Sequence, residues 1–360
     1  MSSRVVICCG SGGVGKTTSS AALALSSAIN GSRVAVLTID PAKRLADSLG
    51  IQSTGGAPQR IPLKDIEGSC HAVILDVEET FEGLIHKFSS SPESAAQILN
   101  NRYFQFASTR LGGVHEYMAS EKVRELATSG DYDLVIVDTP PSRNALDFLR
   151  APERVAGLMD GAVMRWMAMP ASRGGWRALE LGSEAVAKVL RLLIGQGTIG
   201  EIAGFFELFR ELWDGFHSRS LEVQALLASE QTTFLLISSP APSARREALF
   251  FLDQLKKMDL PFGGFLINRA EVQAAETGDL ESQLNGIVPP EMAATIAKLP
   301  ALQNQRAQQH QRSIDALLAA GPKQAKHWIV PDLGRPIHTL NDLIVLSEQL
   351  PQIEALSTQP

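Results

Sequence analysis

The run Gly10-Ser11-Gly12-Gly13-Val14-Gly15-Lys16-Thr17 combines four glycines, a lysine and a hydroxyl at the spacing of a phosphate loop. Glycines let successive backbone N–H groups, here those of Gly12, Gly13, Val14 and Gly15, turn toward one point where a polyphosphate fits. The helical stretch "TTSSAALALSSAIN" follows, and its N-terminus adds free donors and the positive end of a dipole. In this frame Lys16 reaches the β- and γ-phosphates, the Thr17 hydroxyl ligates Mg²⁺, and Thr18 faces the α-phosphate. The apolar run "RVVICC" before the loop supplies the strand that such a loop needs.

Three other polar residues end apolar runs and so belong at the same edge of a sheet. Asp138 closes "DLVIVD", where its carboxylate can hold the metal through water, or else cap the next helix. Asp40 closes "RVAVLTID" ahead of Pro41; a carboxylate there orients or deprotonates an attacking water, or else caps a helix. Lys43 and Arg44 beyond it suit either phosphate oxygens or a solvated helix face. Asn268 closes "GGFLIN". Its amide has donors and an acceptor that suit the adenine edge, or else it forms a turn. The guanine-reading pattern Asn-Lys-x-Asp is not what stands there.

These positions require a sheet. Strand-like runs occur at 4–9, 33–39, 71–77, 133–138, 233–238, 263–268 and 327–331, most of them apolar throughout, with helical patterns between. The expectation is an α/β fold: a single P-loop domain over 1–360, its mostly parallel sheet covered by helices on both faces. Residues 82–130 and 151–231 read as helix only and form an inserted helical subdomain.

Within that insertion, Met159, Met164, Met167 and Met169 make up half of the eight methionines. Such a segment suits a pliable hydrophobic groove, or else a core. The stripe Ile202, Phe205, Phe206, Phe209, Leu212, Trp213 and Phe216 reads as core.

Composition narrows the class. With 33 basic and 39 acidic residues the net charge is −6, and no basic block suggests a nucleic-acid partner. Cys8, Cys9 and Cys70 are three thiols without C-x-x-C spacing, which points to a reducing, cytoplasmic setting. No Cys/His cluster suggests zinc. No apolar run reaches the roughly 18–20 residues that cross a bilayer, and the start of the chain does not read as a secretory leader.

Together, "GSGGVGKTT", "DPAKRLADSLG", "VDTPPSRNALDFL", "LINR", "GGVHEYMASEKVRELA" and "VPDLGRPIHTL" resemble the ArsA/Get3 family of deviant-Walker-A ATPases. The resemblance implies an ATP- and Mg²⁺-dependent homodimer with nucleotides near its interface. It implies Asp40 as the water-activating residue, Asp138 as the Walker B carboxylate and Asn268 at adenine, with Pro331 and Asp332 bordering the base. It also implies a hydrophobic client, such as a tail-anchored membrane protein; a membrane anion transporter or a low-turnover scaffold are the alternatives.

Some features depart from the family pattern. Ser11 stands where the family carries a lysine that reaches the partner's phosphates, which leaves Arg44 and Arg143 as candidate substitutes. The segment 269–312 lacks the cysteines of a zinc-clipped dimer, and the chain reads as one half rather than two fused halves.

Overall fold

The computed structural model describes residues 3–39, 44–51, 56–64, 66–101, 105, 113–160, 199–275, 278–323 and 325–350. For 44, 142–144, 155–160, 199–211, 213 and 281 it describes the backbone alone.

The first strand, β1 (Arg4–Gly10), sends Val5, Ile7 and Cys9 into one hydrophobic core and Val6 and Cys8 into a second. Strand side chains alternate in direction, so a strand that is apolar throughout must be covered on both faces. The other strands are β2 (Arg33–Thr38), β3 (Gln59–Arg60), β4 (Ser69–Ile74), β5 (Leu134–Asp138), β6 (Thr232–Ser238), β7 (Phe262–Ala270) and β8 (His327–Pro331). They form one sheet in the order β3-β4-β2-β5-β1-β6-β7-β8. Every pairing is parallel except β3 with β4. This is the α/β P-loop architecture read from the sequence.

The described helices are α1 (Lys16–Ile29), α2 (Arg44–Leu49), α3 (Val77–Phe88), α4 (Pro92–Leu99), α5 (Val114–Thr128) and α6 (Ser142–Asp160). They continue as α7 (Ile199–Ala228), α8 (Pro242–Lys257), α9 (Leu280–Leu284), α10 (Pro290–Ile296), α11 (Leu299–Ala320) and α12 (Leu340–Ser347). On one face, α1, α2 and α12 bury Leu23, Leu25, Leu45, Leu49, Leu343 and Leu346. On the other, α5, α6, α7, α8 and α11 bury residues such as Val123, Phe148, Val223, Phe251 and Ile314.

Several elements differ in extent from the sequence reading; β7, expected at 263–268, spans Phe262–Ala270, so Asn268 stands two residues before its end. The strand expected at 71–77 begins at Ser69 and stops at Ile74. It stops because the Asp76 side chain accepts the Glu79 N–H at 2.9 Å and so caps α3. The two-residue β3 is too short to leave a periodic signature, and its antiparallel pairing makes the sheet mixed at that edge.

α3, α5 and α7 meet around Phe216, whose ring centroid lies 5.5 Å from Phe88 and 5.9 Å from Tyr117. Leu212 and Phe216 are buried, so this end of the aromatic stripe is core. The side chains of Ile202 through Phe209, Trp213 and Met159, and all of Met164, Met167 and Met169, lie outside the described residues.

Beside this cluster Glu121 of α5 is 3% exposed and pairs with Arg219 of α7, Nε to Oε1 at 3.0 Å. Arg124 and Glu222 extend the network across the same two helices. Burial pushes the Glu121 carboxyl up to about 7, against the pull of Arg219 and Arg124.

Candidate functional site

The site is assembled at the carboxyl edge of the sheet, where loops leave β1, β2, β5 and β7. β1 ends at Gly10, paired with Ile237; a Cβ there would lie 2.1 Å from the Ile237 carbonyl oxygen. Glycine is therefore the residue that lets the chain turn out between two strands. The loop then exposes Gly12 and Gly13 while Ser11 and Val14 stay buried. Gly15 has φ 91° and is the N-cap of α1; the Ser19 N–H bonds its carbonyl at 2.8 Å.

Three side chains hold the carbonyls of this loop. Lys16 Nζ donates to the Ser11 carbonyl at 2.9 Å. Asn268 Nδ2 donates to the Val14 carbonyl at 2.9 Å. Arg269 Nη1 donates to the Gly13 carbonyl at 3.3 Å.

Under the loop, Thr17 Oγ1 donates to Asp138 Oδ2 at 2.7 Å. Thr38 Oγ1, from the end of β2, approaches the same oxygen at 3.3 Å. Asp138 is 1% exposed. A hydroxyl and a carboxylate side by side are hard oxygen donors of the kind Mg²⁺ takes, and Mg²⁺ usually completes its shell with water and substrate phosphate. Among the described residues no cluster of three His, Cys, Asp or Glu side chains could hold a metal unaided. An ion on Thr17 and Asp138 would complete its shell with water or phosphate oxygens. Thr139 Oγ1 donates to the Cys8 carbonyl at 2.8 Å and ties the start of the next segment to β1.

The sequence-predicted residues are thus partly gathered. Gly12, Gly13, Val14, Gly15, Lys16, Thr17, Thr18 and Asp138 share one corner, and Asn268 reaches it from β7. Pro331 ends β8, and the Asp332 N–H bonds the Ala270 carbonyl at 2.9 Å, which puts that turn beside the end of β7. Asp40 and Lys43 lie outside the described residues, and so do the side chains of Arg44 and Arg143.

Sequence reasoning missed Thr38 and Arg269. Thr38 stands two residues before Asp40, the strand-end position already singled out. Arg269 follows Asn268 directly, and a charge at the end of an apolar strand was its signal.

The cysteines belong to the core. Cys8, Cys9 and Cys70 are at most 1% exposed and unbridged. Burial pushes Cys8 and Cys70 up to about 12 and Cys9 upward as well. They are protonated, unreactive thiols at neutral pH. No helix among the described residues is long and apolar enough to cross a membrane.

Residues 3–282 match the family model described as Anion-transporting ATPase. The ATPase BagA of Mycobacterium tuberculosis is 22% identical over 291 residues, covering 79% of this chain and 70% of that protein. A putative arsenical pump-driving ATPase of Aquifex aeolicus is 25% identical over 291 residues, covering 78% and 68%. The ATPase ASNA1 homolog of Dictyostelium discoideum is 24% identical over 263 residues, covering 72% and 70%.

Proposed function

Because this chain belongs to the anion-transporting ATPase family and hydrolyses ATP, we propose that it works as a Mg²⁺-dependent homodimeric switch that handles a hydrophobic client. The contact of Thr17 with Asp138 beneath the phosphate loop carries this reading. It brings together the hydroxyl and the carboxylate that would hold a nucleotide-bound Mg²⁺.

In the reaction, the N–H groups of Gly12 to Gly15 and the Lys16 ammonium receive the phosphates. Lys16 gives up the Ser11 carbonyl to do so. Thr17 and Asp138 would hold the magnesium, which when bound would supply positive charge against that of the phosphates. Asp40 orients a water on the γ-phosphorus and takes its proton as the bond to the leaving ADP oxygen breaks. Asn268 keeps its contact with Val14 and offers its remaining capacity to the adenine edge, with Pro331 and Asp332 bordering the base.

For the client, support comes from the surface as well as from family likeness. Ten large hydrophobic side chains are exposed among the described residues, and five lie within 272–302: Val272, Ile287, Met292, Leu299 and Leu302. Ile287 is 73% exposed. Apolar exposure concentrated like this marks contact surfaces more often than scattered residues do. The cytoplasm is the proposed compartment, in keeping with three unbridged cysteines.

The test is to trap Asp40→Asn with ATP in a cell extract and identify what co-purifies. Membrane proteins with a single hydrophobic tail support the proposal; nothing but the protein itself counts against a client. A second reading, a subunit that energises an anion transporter, draws on the family's description and the pump-driving relative. It predicts that a transporter co-purifies and that an oxyanion stimulates turnover. The buried thiols speak against arsenite as that anion.

A further inference from the structure

Arg269 has φ 59° and is one of two non-glycine residues with positive φ among those described, Asp259 being the other. A left-handed L-residue costs on the order of 1 kcal/mol and persists where its surroundings fix it. Here Asn268 Oδ1 accepts the Arg269 N–H at 3.0 Å, and the guanidinium reaches the Gly13 carbonyl at 3.3 Å. Asn268 Nδ2 meanwhile holds the next carbonyl, that of Val14. Consecutive residues at the end of β7 thus grip consecutive carbonyls of the phosphate loop.

A trans peptide is planar, so its C=O and the following N–H point in opposite directions. A donor on the Gly13 carbonyl therefore aims the Val14 N–H away from itself, and a donor on the Val14 carbonyl does the same for Gly15. Lys16 acts likewise on the Ser11–Gly12 peptide but must leave it to meet a phosphate. The Arg269 side chain is exposed and brings a positive charge to a loop whose second residue, Ser11, has none.

We propose that Arg269 is a positioning residue: its guanidinium holds the Gly13 carbonyl outward, so that the loop presents its N–H groups to nucleotide. This rests on the reading of residues 10–17 as the nucleotide loop. The interaction is made equally with ATP and ADP, because it orders the loop rather than the reacting phosphorus.

The experiment measures equilibrium binding of Mg-ATP and Mg-ADP, together with kcat and KM, for the full chain and for Arg269→Ala, Arg269→Lys and Arg269→Gly. Thermal unfolding without nucleotide confirms that each variant is folded. Arg269→Ala should weaken both nucleotides about tenfold, the loss of one charge-assisted bond, and raise KM while kcat stays within about threefold. Arg269→Lys should recover part of the binding. Arg269→Gly, which adopts positive φ freely, should bind as poorly as Arg269→Ala.

Binding within about twofold of the parent in Arg269→Ala, a loss confined to kcat, or full recovery in Arg269→Gly would each overturn the proposal. Lys16→Ala serves as the control. If it weakens binding while Arg269→Ala does not, the Arg269 role alone fails. If neither weakens binding, the nucleotide-loop reading fails with it.

Discussion

A methyl group on Gly15 would lie 2.3 Å from Asn268 Nδ2, and the position also carries φ 91°. Gly15→Ala therefore strains the loop in two separable ways, by contact and by backbone. It should weaken ATP binding by more than about tenfold. In the Asn268→Ala background the loss caused by Gly15→Ala should be smaller than in the parent, because the contact is gone while the backbone strain stays. Isothermal titration of the single and double variants checks this; additive losses would mean that the two residues do not touch in solution. Lys16→Ala removes the charge proposed to meet the phosphates and should lower turnover by about two to three orders of magnitude in a phosphate-release assay.

At the scale of elements, α5 and α7 are joined by a charge network that the phosphate chemistry does not use. Folding brings Glu121 to a carboxyl that holds its proton up to about pH 7, whereas the ordinary value is 4.5. Between those values the folded state binds a proton that the unfolded state has released. The contribution is thus fully present below about pH 4.5 and is lost as pH rises through about 7. Relative to Glu121→Gln, the parent should lose about 2 kcal/mol of stability between pH 5.5 and 7.5. Urea unfolding at both values measures this, and parallel pH dependence of the two proteins would contradict it.

The same scale explains what the sequence could show. β1, β2, β5 and β6 were legible because both their faces are covered and the apolar runs are unbroken. β3 was not, because two edge residues leave no period. Asn268 was legible as a strand-end polar residue, but its grip on Val14 was not. That contact joins residues 254 positions apart, and only the sheet order brings β7 and the loop after β1 together. The reach of Arg269 to Gly13 was hidden for the same reason.

For the whole molecule, the two cores enclose all three cysteines. An aromatic disulfide reagent should find no fast thiol in the native protein and three after denaturation. One rapidly reacting thiol would show that a core opens readily. The larger question is whether nucleotide joins two such molecules. Ser11 brings no charge to the loop, and the apolar side chains exposed within 272–302 are ones that association can cover.

The most direct measurement is sedimentation velocity of Asp40→Asn with Mg-ATP and, separately, with Mg-ADP. On the role proposed for Asp40, hydrolysis should then slow and the nucleotide-closed state should accumulate. A switch of the kind proposed sediments as a dimer with Mg-ATP and dissociates at least in part with Mg-ADP. A single monomeric boundary under both conditions, at concentrations that saturate nucleotide binding, would contradict the account.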